Sequence, residues 1–271
     1  MQRTIHCRFF RKAFGWCVPI GGLAGLIGLG GGEFRLPVLM HAIGFEVKSA
    51  VPLNLMVSLI TLAFAMMTRS RAVSPAALTP YLPEIVGLAA GGIATAFYGA
   101  RLVQGLSATR LVQLIAGLLA AIGCLLLVEA VSPFRHVELL PVSPAVHLVT
   151  AAVFGSGIGL VSSVLGVAGG ELLIPTLIFV YGADIKSAGS ASILISLGVV
   201  SAGLWRYWRV DAIPRGRGVQ RITLAMSAGS IIGATLGGLA VAYAPVTVLK
   251  LLLGCILIAA AAKTALSHRP S

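Results

Sequence analysis

Charge is what this chain has least of: only 10% of its 271 residues are Asp, Glu, Lys or Arg, against about a quarter in a soluble domain. With 58% hydrophobic residues beside it, a water-soluble globule is excluded. Acidic groups are scarcest, eight against twenty basic ones, which weighs against a carboxylate-lined cation pathway. Cysteine is also sparse. Cys7, Cys17, Cys124 and Cys255 form no C-x-x-C pair and have no histidine at ligand spacing. No metal site is therefore expected, and the four read as small apolar fillers. There is no G-x-x-x-x-G-K-[ST] run, and no cofactor is expected. No Ser–His or Asp–Asp arrangement has the spacing of a catalytic site, so the chain is not expected to be an enzyme. No small-residue cleavage site follows the basic start at Arg3, Arg8, Arg11 and Lys12. Gly21, Gly22, Gly25 and Gly28 follow instead, as in an uncleaved first helix.

What is abundant is apolar helix. Seven or eight runs have the roughly 20 residues needed to cross a bilayer. They predict an all-α integral membrane protein of about eight transmembrane helices. The net charge of +12 does not point to nucleic acid, because the basic residues lie in short segments between apolar runs, where a membrane protein carries them. The expected partners are the lipid bilayer and a small solute, with a homo-oligomer left open.

Shifted by 138 positions, the sequence matches itself without a gap. Gly28-Leu-Gly-Gly-Gly-Glu33-Phe-Arg-Leu-Pro37 lies over Gly166-Val-Ala-Gly-Gly-Glu171-Leu-Leu-Ile-Pro175, and Gly44, Lys48, Ser49 and Ala50 over Gly182, Lys186, Ser187 and Ala188. The register holds to Gly91 over Gly229 and Gly99 over Gly237. Apolar helices match by chance in Leu and Ala, not repeatedly in Gly, Glu, Pro and Lys. Two homologous four-helix repeats follow, 1–138 (with a cytoplasmic segment 1–12) and 139–271, together one bundle. Each opens with a helix broken at glycines (about 13–30 and 147–168) and a short helix (33–43 and 171–181). Three longer helices follow, at 49–67, 83–101 and 108–130, and at 187–205, 221–240 and 246–265.

We count each broken helix with its short partner as one span and place the N-terminus inside. Segments 1–12, 68–82, 131–144, 206–221 and the C-terminus then face the cytoplasm, holding fourteen of the twenty basic residues. The expected location is the inner or plasma cell membrane, multi-pass, with both termini cytoplasmic. In this arrangement the repeats stand the same way up, about a pseudo-twofold along the membrane normal. If the short helices dip in and return, an inverted relation arises instead.

The run Gly30, Gly31 and Gly32 breaks a helix. In a bilayer such backbone survives only inside protein or beside a water-filled cavity. Pro37 and Pro175 suit the early turns of a new helix, which begins near Glu33 and near Glu171 with free N–H groups and a positive dipole end. Broken helices at matching positions of two halves point to a transporter's binding site. The motif G-x-G-G-G-x-x-x-x-P, followed by G-x-x-x-x-x-A and small polar residues once in each half, resembles the sulfite exporter TauE/SafE family. The second half fits best, through Gly166–Pro175, Gly182 and Ala188-Gly-Ser-Ala-Ser192. The resemblance implies transport of a small anion (sulfite, an organosulfonate or a related organic anion); with no nucleotide-binding motif in the chain, the driving energy is expected from a gradient or a separate partner.

The candidate substrate-binding residues are Gly30, Gly31, Gly32, Glu33, Arg35, Asn54 and Ser58 in the first repeat. In the second they are Gly169, Gly170, Glu171, Ser190, Ser192 and Ser196. Backbone N–H groups at the breaks would hold an anion without trapping it. Arg35, which lies over Leu173, would add a charge from one side. Asn54 and Ser58, one helical turn apart, and their counterparts Ser192 and Ser196 would line the path. Glu33 and Glu171, as intramembrane carboxylates, are the candidates for carrying a coupling proton. A cation or metal carrier using the same two glutamates, and a non-transport membrane assembly protein, are the other readings.

Overall fold

The structure is a computed structural model and describes residues 2–102, 108–131 and 143–266. The segments 103–107 and 132–142, which include part of the expected 131–144 loop, lie outside the described residues. Every regular element among the described residues is a helix. α1 (Gln2–Leu23) continues as a π-helical turn over Ala24–Gly28, and α2 (Gly32–Pro37) continues likewise over Val38–Ala42. α3 (Val47–Ala72), a 3-10 segment (Pro75–Tyr81), α4 (Leu82–Leu102) and α5 (Ala108–Val131) complete the first half. The second half is α6 (Pro144–Leu165), α7 (Gly170–Phe179), α8 (Ile185–Arg209), α9 (Arg217–Ala240) and α10 (Val246–Leu266). Among the described residues, five segments are long and apolar enough to cross a membrane: Ser49–Ala72, Pro75–Phe97, Ala145–Ser163, Ile185–Arg209 and Arg217–Ala240.

Both breaks fall where the glycines are. Backbone is non-helical at 29–31 and 166–169. The repeat extends to backbone dihedrals: Gly28 and Gly166, Gly31 and Gly169, and Gly44 and Gly182 all have positive φ. Each pair is 138 residues apart, and only glycine takes that conformation without strain.

After each break the chain turns back. Gly31 packs on Ile20 and Ala24, and Trp16, Pro19, Ile20 and Leu23 line one groove with Phe34, Pro37, Val38 and Ala42. A chain continuing past Gly28 would carry Ala42 roughly 35 Å or more from Trp16, at 1.5 Å per residue. In the second half Gly169 sits beside Ser162 and Ile158, and the Tyr181 hydroxyl donates to Thr150 Oγ1 at 3.3 Å. So α2 runs back along α1, and α7 along α6. This corrects the reading of each broken helix and its partner as a single span.

The reversal changes how the repeats are related. On α9, Gly229, Gly233 and Gly237 face Phe14, Val18 and Gly22 of α1 in order, so the two helices run parallel. On α4, Gly87 and Gly91 face Leu148 and Ala152 of α6, and Gly159 of α6 faces Thr95, again in order. α3 runs with α1, its start packing near Ala13 and Cys17 and its end, at Arg69, bonding Gly25 and Leu26. α8 runs against α3, with Lys186 at Arg69 and Gly203 at Leu55. α4 runs with α8: Ile93 meets Gly198 and Phe97 meets Trp205. α5 and α10 are antiparallel, pairing Glu129 with Lys250 at 2.7 Å and Gly123 with Gly254. Every helix therefore runs opposite to its counterpart 138 residues on. The expected axis along the helices is replaced by an inverted relation, because a hairpin plus three helices is an odd number of net crossings.

The first helix of each half packs on the third long helix of the other, α1 on α9 and α6 on α4. The halves interlock through the small-residue ladders. A Cβ built on Gly91 would fall 2.1 Å from the Ala152 carbonyl oxygen, on Gly233 2.0 Å from that of Val18, and on Gly237 2.0 Å from that of Gly22.

Candidate functional site: two glycine breaks that meet

The breaks touch at the centre of the bundle. A Cβ on Gly30 would fall 2.4 Å from the Ala168 methyl, and one on Gly170 would lie 3.3 Å from Leu29 Cα. One on Gly32 would lie 2.8 Å from Asn54 Nδ2 and 3.5 Å from Val167 Cα. The candidate residues converge here: Gly30–Gly32, Gly169 and Gly170 form the floor, with Asn54 and Ser58 from α3 and Ser192 and Ser196 from α8 beside it. Glu33 and Glu171 stand in the first turns of α2 and α7, where a carboxylate complements the helix dipole.

Arg35 is wholly buried, and its guanidinium is consumed by the protein. Nε donates to Asn54 Oδ1 at 3.4 Å. Nη1 donates to Thr61 Oγ1 at 2.6 Å and Ser230 Oγ at 3.1 Å. Nη2 donates to Ser58 Oγ at 2.7 Å and to the Gly30 carbonyl. A guanidinium has five N–H donors, and all five are accounted for. The Glu33 carboxylate acts on it electrostatically. Arg35 thus pins the broken end of α1 to α3 and α9, and its donors face protein acceptors where the sequence reading had it face an anion.

A second buried arginine was not foreseen. Arg69, counted from sequence among loop residues at 68–82, lies inside α3 with no exposure. It donates to the carbonyls of Gly25 at 3.0 Å, Leu26 at 2.7 Å and Lys186 at 2.8 Å, and to Ser190 Oγ at 3.1 Å. Carbonyls at a helix end have no intrahelical partner, and lipid offers none. Arg69 supplies it, and in doing so takes up Ser190, one of the candidate residues. The sequence carried a signal. Asn54, Ser58, Thr61 and Arg69 recur at three-, four- and eight-residue steps, one polar stripe on one helix face; the expected helix ended at 67 and cut the stripe short.

The second break is held by neutral groups. Asn54 Nδ2 donates to the Gly166 carbonyl at 3.0 Å, and Ser196 Oγ to that of Ala168 at 3.1 Å. Ser162 and Ser192 are buried hydroxyls here whose oxygens have no hydrogen-bond partner. Ser192 Oγ would lie 3.2 Å from a Cβ on Gly170, and Ser162 Oγ 2.1 Å from one on Gly169. Ser162, like Thr61 and Ser230, was missed from sequence, where a small hydroxyl in an apolar helix reads as helix packing.

Long apolar helices enclosing paired re-entrant hairpins, with buried glycine breaks at their tips, are the architecture of a polytopic membrane protein. The family model described as Sulfite exporter TauE/SafE matches residues 151–271, which bears out the resemblance over the second repeat. The first repeat lies outside the matched span, and is tied to the second by the 138-residue self-similarity and the shared dihedrals. No curated protein and no solved structure matches the chain.

Proposed function

We propose that this protein is a multi-pass cell-membrane transporter that exports a small anion, held where the two breaks meet. The observation that carries this reading is the pair of buried, glycine-broken hairpins touching tip to tip, each presenting the start of a short helix to the centre. Half-helix N-termini offer N–H donors without a mobile cation. Sulfite, organosulfonates and related organic anions are the substrates that this chemistry and the family match support.

With the hairpins re-entrant, six long helices (α3–α5 and α8–α10) cross the membrane as simple spans, and α1 and α6 enter it as the outer arms of hairpins. The end of the bundle where α1, α3 and α9 begin and α8 finishes gathers the described residues 2–12, 43–48, 101–102, 108–110, 206–221 and 263–266. These hold thirteen of the twenty basic residues, so by the positive-inside rule we assign this end, and with it both termini, to the cytoplasm. The 68–82 segment then moves outside. Export is driven by a gradient, with Glu33 or Glu171 carrying a proton beside the anion.

The deciding experiment is reconstitution. Purified protein in liposomes is screened with sulfite and organosulfonates under an imposed proton gradient. Saturable, gradient-stimulated anion flux is the expected result. Flux of a divalent cation and of no anion would transfer the reading to a cation carrier.

A further inference from the structure

α3 and α8 are counterparts in the two repeats, and they differ near their C-terminal ends. Arg69 of α3 reaches across to α8 and to the end of α1. The residue 138 positions on is Tyr207, and the space beside it is open. A cavity of about 150 Å³ lies there, between α3, α4, α6 and α8. Its lining on α8 includes one stripe, in which Val199, Gly203, Arg206, Tyr207 and Val210 recur at three- and four-residue steps. At 1.5 Å per residue this stripe runs roughly 16 Å along α8, the direction of the acyl chains around a spanning helix.

The cavity changes character along that line. Away from the end of α8 it is lined by buried apolar side chains: Val199 and Val200, Ala96 of α4, and Leu55 of α3 opposite Gly203. At the end of α8 it is lined by Arg206, Tyr207 and Val210. Val210 is 66% exposed, so the cavity opens there. Trp205 and Trp208 are exposed at the same level, where a membrane protein carries its interfacial aromatics. Arg206, Arg209, Arg215, Arg217 and Arg221 share the 206–221 segment with one acid, Asp211, and that acid pairs with Arg215 at 2.6 Å. Arg206 is left without an acid partner in its own segment.

We propose that this cavity binds an anionic phospholipid of the bilayer, with one acyl chain along the α8 stripe and the phosphate on Arg206. Basic pockets between transmembrane helices at the cytoplasmic side recognise anionic headgroups, and burying the chain removes apolar wall and apolar chain from contact with water together. In other proteins a cavity of this size takes up a benzene-sized guest, so it holds a segment of about six carbons of the chain. A zwitterionic lipid offers the same chain and no net charge to Arg206. A free phosphate offers the charge and leaves the apolar walls uncovered. α3 and α4 belong to one repeat and α6 and α8 to the other, so a chain seated here touches both halves of the molecule. The inference does not depend on which solute is carried.

The test is native mass spectrometry of the delipidated full-length protein in detergent, titrated with dioleoylphosphatidylglycerol or, in parallel, dioleoylphosphatidylcholine. The first phosphatidylglycerol should bind about fivefold more tightly than the first phosphatidylcholine, the effect of one basic residue beside an anionic headgroup. Arg206→Gln should remove that preference and leave phosphatidylcholine binding unchanged. Arg215→Gln takes away the same net charge from an arginine already held by Asp211, and should keep the preference. Gly203→Leu should weaken both lipids. A Cβ at Gly203 meets only Leu55 Cδ1, at 3.6 Å, so the added side chain fills the cavity without striking backbone. Gly203→Val serves as a second filling variant should the leucine fail to give a monodisperse protein. Glycerol phosphate, a headgroup without chains, should not displace the bound lipid. Equal affinity for the two lipids, equal effects of Arg206→Gln and Arg215→Gln, undiminished binding in the filling variants, or displacement by glycerol phosphate would each overturn the site. Anion flux is read separately in the liposome screen, so the transport reading stands or falls on its own.

Discussion

At the scale of the residue, the two buried arginines decide what a polar group can do in this bundle. Each sits where chain carbonyls would otherwise face apolar surroundings, and each has an acid within electrostatic reach, Glu33 for Arg35 and Asp184 for Arg69. Removing a buried hydrogen-bonded charge strands its partners at a cost of about 3–5 kcal/mol. Arg69→Met should therefore lower the thermal midpoint and yield of purified protein sharply, as read by fluorescence-detected gel filtration after heating. Arg35→Met should behave the same way, with anion affinity per folded molecule little changed; a variant of ordinary stability and lost affinity would return Arg35 to the substrate. The glutamates give the opposite pattern. Under the proposed mechanism, Glu171→Gln mimics the protonated acid and should retain anion exchange while losing its response to a proton gradient. Gradient-driven flux unchanged in both Glu33→Gln and Glu171→Gln would leave these carboxylates as helix-dipole partners alone.

At the scale of the element, glycine does two separate jobs. In the breaks it supplies positive φ. In α4, α6 and α9 it supplies nothing but the absence of a side chain, so that helices approach until backbone meets backbone. The Gly233 position leaves 2.0 Å to the Val18 carbonyl oxygen, well inside any van der Waals contact. Gly233→Val should prevent α1 from docking on α9, at a cost above the roughly 1–3 kcal/mol typical of overpacking, and appear as aggregated protein. Gly157 on α6 is the control. Nothing lies within 4 Å of a Cβ there, so Gly157→Ala should be neutral or stabilising by up to about 1 kcal/mol through helix propensity. Equal damage from both substitutions would mean that packing is not what the ladders provide.

At the scale of the whole molecule, the hairpins set the topology. Because α2 and α7 return, each repeat makes an odd number of net crossings and the halves are inverted. A cysteine at Ser74, between α3 and α4, should then react with a membrane-impermeant maleimide in intact cells, and one at Gly216, between α8 and α9, only after permeabilisation. Both reacting only after permeabilisation would restore the arrangement in which each broken helix makes one full crossing. An inverted pair also gives α1 and α6 opposite directions through the same bundle, which suits alternating access to a central site. The interlocked packing of α1 on α9 and α6 on α4 means that neither half can move without carrying an arm of the other.

The sequence by itself determined the helical membrane character, the position of both breaks and the existence of the long helices, though it ended α3 at 67 where the structure carries it to Ala72 and began α9 at 221 where the structure begins it at Arg217. These rest on local signals: hydrophobic length, glycine and proline, and a strict 138-residue period. Spacing along one helix fixes a shared face, which is how Asn54 with Ser58 and Ser192 with Ser196 were paired from sequence; both pairs lie beside the breaks. The tertiary structure alone decided three things. The direction of α2 and α7 depends on which neighbours the glycine turn brings together, and a run of apolar residues reads the same going on or coming back. The tasks of Arg35 and Arg69 depend on carbonyls and hydroxyls supplied by other helices, up to 195 residues away at Ser230. The difference between the breaks depends on hydroxyls from α6 and α8 meeting at Gly169 and Gly170. All three are long-range contacts, which no local pattern encodes.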